Sequence, residues 1–522
     1  MIAAPTLATR GVVASPHALA SAAGADALRA GGSAVDAAIA CAATLGVIYP
    51  HMCGIGGDAF WLIYDAKARR VSYLDGGGRA ARNATLDRFS DQNEIPFRGV
   101  VPATLTTPGA VASFCAAHER HGRLPLARCL QDAIHYARDG YPVTKRLARW
   151  IEETKAELAQ DPASAALFLR SPGKNPALAR TLEAIASDGR AGFYEGEVAR
   201  QLASLGGFFT QSDLAAQQAY WGEPIRSGYR GVTIYETPAP TQGFTVLEML
   251  NLLEPLELSK REFLGPDHVH LLVQAKQIAY NDRDRWLGDP RFVDIPIEKL
   301  LSKSYADERR RLLDPARALP WDKVPSEGSL AGDTVYVAAV DAAGNAASLI
   351  FSLYGVFGAC VTSAATGVVL QNRGAYFSLD PAHPNRLEPG KVPLHTLIAS
   401  LAFRDDRLWA VLGCMGADGQ PQIHVQTYVA MIDFGLDIQQ ALSSPRWLSG
   451  RFGLGEARDT LHIEARFPPG TIDELERRGH PVDRWGDWNE LAGHAHGITV
   501  DPVSDLLAGG FDPRSDGAAV GY

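Results

Sequence analysis

Cysteine is scarce in this chain: six residues in 522, at positions 41, 53, 115, 129, 360 and 414. No two form a CxxC pair, and no dense spacing suggests a disulfide framework or a zinc site. A reducing compartment, the cytoplasm, is the expectation. Long apolar runs are also lacking: the charge-free apolar stretch from Ala37 to Pro50 falls short of the ~20 residues that cross a bilayer, so no membrane span is expected. Basic residues are not in excess. Fifty Lys and Arg stand against 59 Asp and Glu, a formal net charge of −9, with no basic run to track a phosphate backbone. Nucleic acid is therefore not an expected partner. A GxSxG elbow is absent, which removes support for an α/β-hydrolase triad. A secretory N-terminus is poorly supported, because the stretch from Gly11 to Ala23 contains Ser15, Pro16 and His17 and is rich in Ala rather than Leu.

What remains is an ordinary soluble composition, 46% hydrophobic and 21% charged. The length fits about three domains or one large α/β unit equally well. From Ala18 the segment ASAAGADALRAGG reads as a helix ended by Gly31 and Gly32, and Ser33 caps a second, nearly all-apolar helix, AVDAAIACAATLGVI, that should be buried. A glycine cluster at 54, 56 and 57 leads into a hairpin, AFWLIYD and VSYLD, followed by Gly76, Gly77 and Gly78. Residues 109–320 read as mainly helical. Beyond 330 the pattern changes: TVYVAAVD, the turn AAGN and AASLIFSLY form strand, turn and strand, with further strand-like runs at 366–371, 397–403 and 408–412. A helical front and a strand-rich back imply an α+β or layered architecture.

Taken alone, the motifs stop short of a function. CGIGGDAF precedes a strand instead of linking a strand to a helix, so it is not a dinucleotide fingerprint. His494 and His496 offer two metal ligands without a matched third. LGCMGADG, around Gly413 and Gly416, reads as a turn with backbone N–H groups that a pocket can use.

In order along the chain, however, AGGSAVDAAIA (30–40), GIGGDAF (54–60), TPGAVASF with HGRLPLARCLQDAIHYARDGYPV (107–143), PAPTQGFTVLEMLN (238–251), QAKQIAYNDRDRWLGDP (274–290), GDTVYVAAVDAAGNAASLIFSLYGVFG (332–358), SSPRW (443–447) and GGFDPRSDGAAVGY (509–522) resemble the gamma-glutamyltranspeptidase family. The resemblance covers nearly the whole chain. It implies an N-terminal-nucleophile hydrolase, an α+β four-layer αββα sandwich made as one precursor that cuts itself. By register the nucleophile falls on Thr334 and the scissile bond on Asp333–Thr334, giving an alpha chain of residues 1–333 and a beta chain of 334–522 that stay associated as one intertwined unit. Cutting there frees an α-amino group of reference pKa about 7.7–8.0, able to take the proton from the hydroxyl of the same residue. Ser352 falls where the family places a hydroxyl beside the nucleophile. Gly416 and Ala417 fall on its paired oxyanion-hole glycines. No cofactor and no metal are implied, and self-association is left open.

The substrate readers of the family do not carry over. Gly77 stands at the place of its carboxylate-binding arginine, with Arg79 two residues on, and Tyr354 replaces an asparagine. Arg373 and Tyr376 replace a glutamine and the amino-binding aspartate, and His395 and Thr396 replace paired serines. An α-ammonium in a cleft needs an anion that Arg373 and Tyr376 do not supply. The expectation is an amidohydrolase acting on a small carboxylate-bearing amide, as in branches resembling oxamate amidohydrolase and the glutaryl-type cephalosporin acylases, with Arg373 as the carboxylate anchor. The alternatives are a gamma-glutamyl hydrolase acting on glutathione-like amides and a non-catalytic binding remnant.

Overall fold

A computed structural model describes residues 4–326, 330, 332–452 and 456–522. Its centre is a pair of seven-stranded sheets. The first runs β17 (Ala518–Gly521), β2 (Val12–Ser15), β8 (Asp333–Val340), β9 (Ala346–Tyr354), β3 (Asp58–Asp65), β4 (Arg70–Gly76) and β5 (Tyr220–Gly222). The second runs β1 (Thr6–Ala8), β16 (Leu507–Gly510), β15 (Ala495–Val500), β11 (Arg407–Cys414), β10 (Ala399–Arg404), β7 (Val232–Glu236) and β6 (Ile225–Tyr229). Every neighbouring pair in both is antiparallel. A small third sheet is built from β12 (Trp447–Ser449), β13 (Leu461–Ile463) and β14 (Val482–Arg484).

The strand pattern explains the layering. Along β3, Phe60, Leu62 and Tyr64 point into the core between the sheets, where they meet Tyr336, Ile350, Leu401 and Val411, while Ala59, Trp61 and Ile63 point outward into a second core. That outer core is covered by the helices Ala18–Arg29, Ala34–Ile48, Ala110–His121 and Leu126–Asp139. The outer face of the other sheet is covered by Gly243–Leu253, Pro266–Trp286, Gln420–Ile432 and Ile438–Ser443. The result is the four-layer αββα sandwich. The stretches before and after the Asp333–Thr334 bond each contribute strands to both sheets, so neither has a core of its own.

Local chemistry follows the sequence closely in the front half. Gly31, at φ +89°, ends the first helix in a conformation that a Cβ would strain. Ser33 and Asp36 form a reciprocal capping box at the start of the second, all of whose residues are buried. Two expectations fail. The run 366–371 makes only isolated bridges, Thr362 with Val369 and Gly56 with Leu370. Its backbone serves as a wall for the glycine loop instead of extending a sheet. The reading of 109–320 as mainly helical misses β5, β6 and β7: Arg230 and Gly231, at φ 48° and 79°, form the two-residue loop of a hairpin that adds the edge of the second sheet. Among the described residues no helix is long and apolar enough to cross a membrane.

Candidate active site

The end of the inter-sheet layer is polar. Three neighbouring strands of the first sheet bring Thr334 (β8), Ser352 (β9) and Asp58 (β3) side by side, with Asp58 directly across from Ser352 in the register. Cross-strand partners share a face of the sheet, and Asp58 and Ser352 keep the alternation of Phe60 and Ile350, which face the second sheet. All three are buried. Gly57 permits this approach, because a Cβ there would lie 2.0 Å from the Ser352 carbonyl oxygen.

Thr334 Oγ1 donates to Ser352 Oγ at 3.1 Å. Ser352 Oγ in turn donates to the carbonyl oxygen of Asp333 at 2.5 Å and accepts from the Tyr354 N–H at 2.8 Å. The hydroxyl that resembles the family's nucleophile and the carbonyl of the preceding peptide are thus bridged by one side chain. The pairing of β8 with β9 shifts register between Asp333 and Val335, so the bond lies at an irregularity and not within a regular ladder. Asp333 is buried, and burial pushes its carboxyl up to about 7 against the opposing pull of Arg98.

The loop after β11 enters from the other sheet. Gly416 has φ 147°, and Ala417 sits in the left-handed region at φ 47°, where a residue other than glycine is strained. A Cβ on Gly332 would lie 3.1 Å from the Ala417 Cβ and 3.4 Å from the Tyr354 ring, which places the segment before Thr334 against this loop. Gln242, just before the helix Gly243–Leu253, ties the loop down by donating to the carbonyls of Ala417 (3.1 Å) and Thr396 (2.8 Å). Asp418 is buried in an ion pair with Arg283 and accepts from Tyr376 Oη at 2.8 and 3.0 Å. Tyr376 is therefore fixed by an acid that the sequence reading did not single out. Burial and the neighbouring Asp418 push its phenol up.

Arg373, on the single 3₁₀ turn Arg373–Tyr376, is 1% exposed. Its guanidinium carbon lies 4.0 Å from the centre of the Tyr354 ring and 5.6 Å from that of Tyr376, and Nη2 donates to Thr396 Oγ1 at 3.2 Å. Nη1 is buried without a hydrogen-bond partner. Tyr354 holds this platform in a left-handed conformation, φ 78°. His395 packs edge-on against Phe60, with ring centres 4.6 Å apart, and burial followed by the charge of Arg373 pushes its imidazole well down, leaving it neutral. The structure thus brings together Thr334, Ser352, Arg373, Tyr354, Tyr376, Thr396 and the Gly416–Ala417 loop, with His395 behind them. Arg79 goes elsewhere: its guanidinium stacks over Tyr220 at 4.4 Å. At Gly77 a Cβ would lie 2.9 Å from Val392 and 3.0 Å from Phe60, so no side chain is accommodated there without a shift.

Sequence reasoning missed Asp58, Gln242, Arg283 and Asp418. The signal for Asp58 was its position: a buried acid at the start of the apolar run AFWLIY in the strand DAFWLIYD. Its Oδ1 accepts from the N–H of Gly78 (2.8 Å) and Gly109 (3.1 Å) and from Gln371 Nε2 (3.1 Å), whereas Oδ2 is buried without a hydrogen-bond partner. Burial pushes this carboxyl up to about 7, against Arg373, Gln371 and the two N–H groups. No metal-ligand set gathers here among the described residues. The grouping with suitable ligand types is Asp36, His118 and Cys129, far from the site in the outer helical layer. There Asp36 Oδ2 already accepts from Ser33, Arg123 and Leu124, which makes it a structural hub. His494 and His496 are buried at the start of β15, and burial pushes both imidazoles down.

Comparison with known proteins adds to this geometry. A family model described as gamma-glutamyltranspeptidase matches residues 20–522. The chain is 42% identical to the glutathione hydrolase-like YwrD proenzyme of Bacillus subtilis, with 99% of each chain covered. It is 40% identical to the oxamate amidohydrolase proenzyme of Klebsiella pneumoniae, again over 99% of each. Among solved structures, cephalosporin acylase from Bacillus halodurans superposes with a TM-score of 0.90 at 34% identity, covering 100% of this chain and 97% of that one.

Proposed function

The chain belongs to the gamma-glutamyltranspeptidase family, and on that premise we propose that it is an N-terminal-threonine amidohydrolase that cuts itself at Asp333–Thr334 and then hydrolyses small carboxylate-bearing acyl amides. The observation that carries the reading is the hydrogen-bonded bridge from Thr334 Oγ1 through Ser352 to the Asp333 carbonyl.

In the precursor, Thr334 Oγ1 attacks the carbonyl carbon of Asp333. The O–H donated by Ser352 draws electron density toward the carbonyl oxygen as the attack proceeds. Collapse breaks the C–N bond and leaves an ester on Thr334, whose hydrolysis by water releases the Asp333 carboxyl and a free α-amine. In the mature enzyme that amine takes the hydroxyl proton as Thr334 attacks the substrate amide. The N–H groups of Gly416 and Ala417 are assigned to the oxyanion, and the proton is passed to the leaving amine. Water then hydrolyses the acyl ester.

The acyl pocket supports a carboxylate without an α-amino group. Arg373 offers a buried, unpaired Nη1, and its plane is held by Tyr354 and Thr396. Tyr376, engaged with Asp418, has no charge to offer an ammonium. Two of the similar proteins are named oxamate amidohydrolase and cephalosporin acylase, names that favour the same reading. The six cysteines are free thiols, which supports a cytoplasmic location. The two fragments stay together because each sheet draws strands from both. A hydrolysis panel of oxamate, glutaryl anilide and γ-glutamyl anilide tests the reading. Preference for the des-amino acids supports it, and preference for the γ-glutamyl anilide returns the glutathione-like alternative.

A further inference from the structure

Beside the nucleophile lie a fixed cation and a fixed carboxyl, each with one buried atom that lacks a hydrogen-bond partner, the carboxyl oxygen having only the neutral His395 ring at 3.4 Å. Arg373 is held by Tyr354 and Thr396 and keeps Nη1 without a partner. Asp58 is held through Oδ1 by Gly78, Gly109 and Gln371 and keeps Oδ2 without one. Asp58 stands across from Ser352 in the sheet, one strand farther from Thr334. Arg373 is the charge that most favours the ionised form of Asp58. An N–H without a hydrogen bond on a buried cation and an oxygen without one on a buried carboxyl are together the complement of a carboxylate and an ammonium on one acyl group.

We propose that Asp58 is a specificity-determining residue of the acyl pocket, which accepts the α-ammonium of aminoacyl amides when ionised and favours des-amino carboxylates when neutral. The inference rests on the acyl-pocket reading above. An ionised Asp58 gives the ammonium a partner and at the same time offsets the charge of Arg373, weakening its hold on a lone carboxylate. A protonated Asp58 does the reverse. The groups that face it are few: Arg373 from the 3₁₀ turn, Gln371 before that turn, His395 with Nε2 at 3.4 Å from Oδ2, the amides of Gly78 and Gly109, and Tyr194 from the outer layer. His395 is kept neutral by burial, so Arg373 is the one charge among them. With burial holding the Asp58 carboxyl at about 7, the change falls in the working range of an enzyme whose base is an α-amine.

The test is a ratio. The kcat/KM for glutaryl p-nitroanilide over that for γ-glutamyl p-nitroanilide is measured on the processed enzyme at about pH 5.5 and about pH 7.5, a window in which glutaryl is ionised and the γ-glutamyl amine mostly protonated. Titration of the Thr334 amine affects both substrates and cancels. The ratio should fall about tenfold or more as pH rises, as expected for a hydrogen bond to a charged group. Asp58→Asn, which keeps an acceptor for the three N–H donors, should hold the ratio high and flat. A flat ratio in the wild type overturns the inference while leaving the amidohydrolase reading intact, as does a variant that keeps the slope. If Asp58→Asn does not mature, the wild-type slope decides alone. An enzyme that hydrolyses neither anilide overturns the inference, and one that also fails on oxamate overturns both.

Discussion

Ser352 stands between the hydroxyl of Thr334 and the carbonyl of Asp333, accepting from the first at 3.1 Å and donating to the second at 2.5 Å. One side chain thus orients the attacking oxygen and polarises the bond it attacks. Ser352→Ala should slow self-cleavage by about 100- to 1,000-fold, the usual effect of losing a donor to a developing oxyanion, while Ser352→Thr should keep most of the rate. The time course of band splitting on a denaturing gel reads both. Equal rates for Ser352→Ala and wild type would remove Ser352 from the mechanism.

Arg373→Gln should weaken kcat/KM on oxamate or glutaryl anilide by about 1.5–3 kcal/mol, the range for a hydrogen bond to a charged group. Self-cleavage should be spared, since that step uses no substrate. Unchanged kinetics on acidic amides would contradict the carboxylate anchor.

Hydrolysis should prevail over transfer. The connection LDPAHPNRLEPGK, residues 379–391 between Ser378 and the VPLHT segment, is a short loop held down by Asn385, which donates to the Tyr376 carbonyl at 2.7 Å and accepts from the Leu394 N–H at 2.8 Å. A short cover leaves the acyl-enzyme open to water. Adding a dipeptide acceptor should barely change the rate of acyl release, and a strong acceptor-dependent acceleration would count against this.

Asp58 also shapes stability. Its carboxyl is raised to about 7 in the fold by burial and returns to about 3.9 on unfolding. Between those values the native state holds the extra proton, so this contribution is fully present below the unfolded value and is lost as pH rises through 7. Asp58→Asn should therefore melt above the wild type by a wider margin at about pH 8 than at about pH 5. A margin independent of pH would show that Asp58 does not carry the raised carboxyl.

Much of the frame was legible because it depends on local chemistry. Ser33 announces its helix, Gly31 ends the one before, and the uninterrupted apolar runs in DAFWLIYD and TVYVAAVD give strands with two buried faces. The run 366–371 was misread because apolar residues lining a loop wall look like those of a strand. Thr334 carries no periodic signal at all, and its position came from resemblance. Arg373 was legible as a cation at a substituted place. Asp58 and Asp418 were not, because their meaning lies in partners distant along the chain: Arg373 for the first, Arg283 and Tyr376 for the second. An acid at a strand start or a loop reads locally as a cap or a turn residue.

The most direct measurement is intact mass with N-terminal sequencing of the purified protein, set beside Thr334→Ala and an activity assay. The account predicts two fragments in the active protein, the smaller beginning at Thr334 and ending at Tyr522, and a variant that stays whole and inactive. A single uncut chain that hydrolyses amides would contradict it.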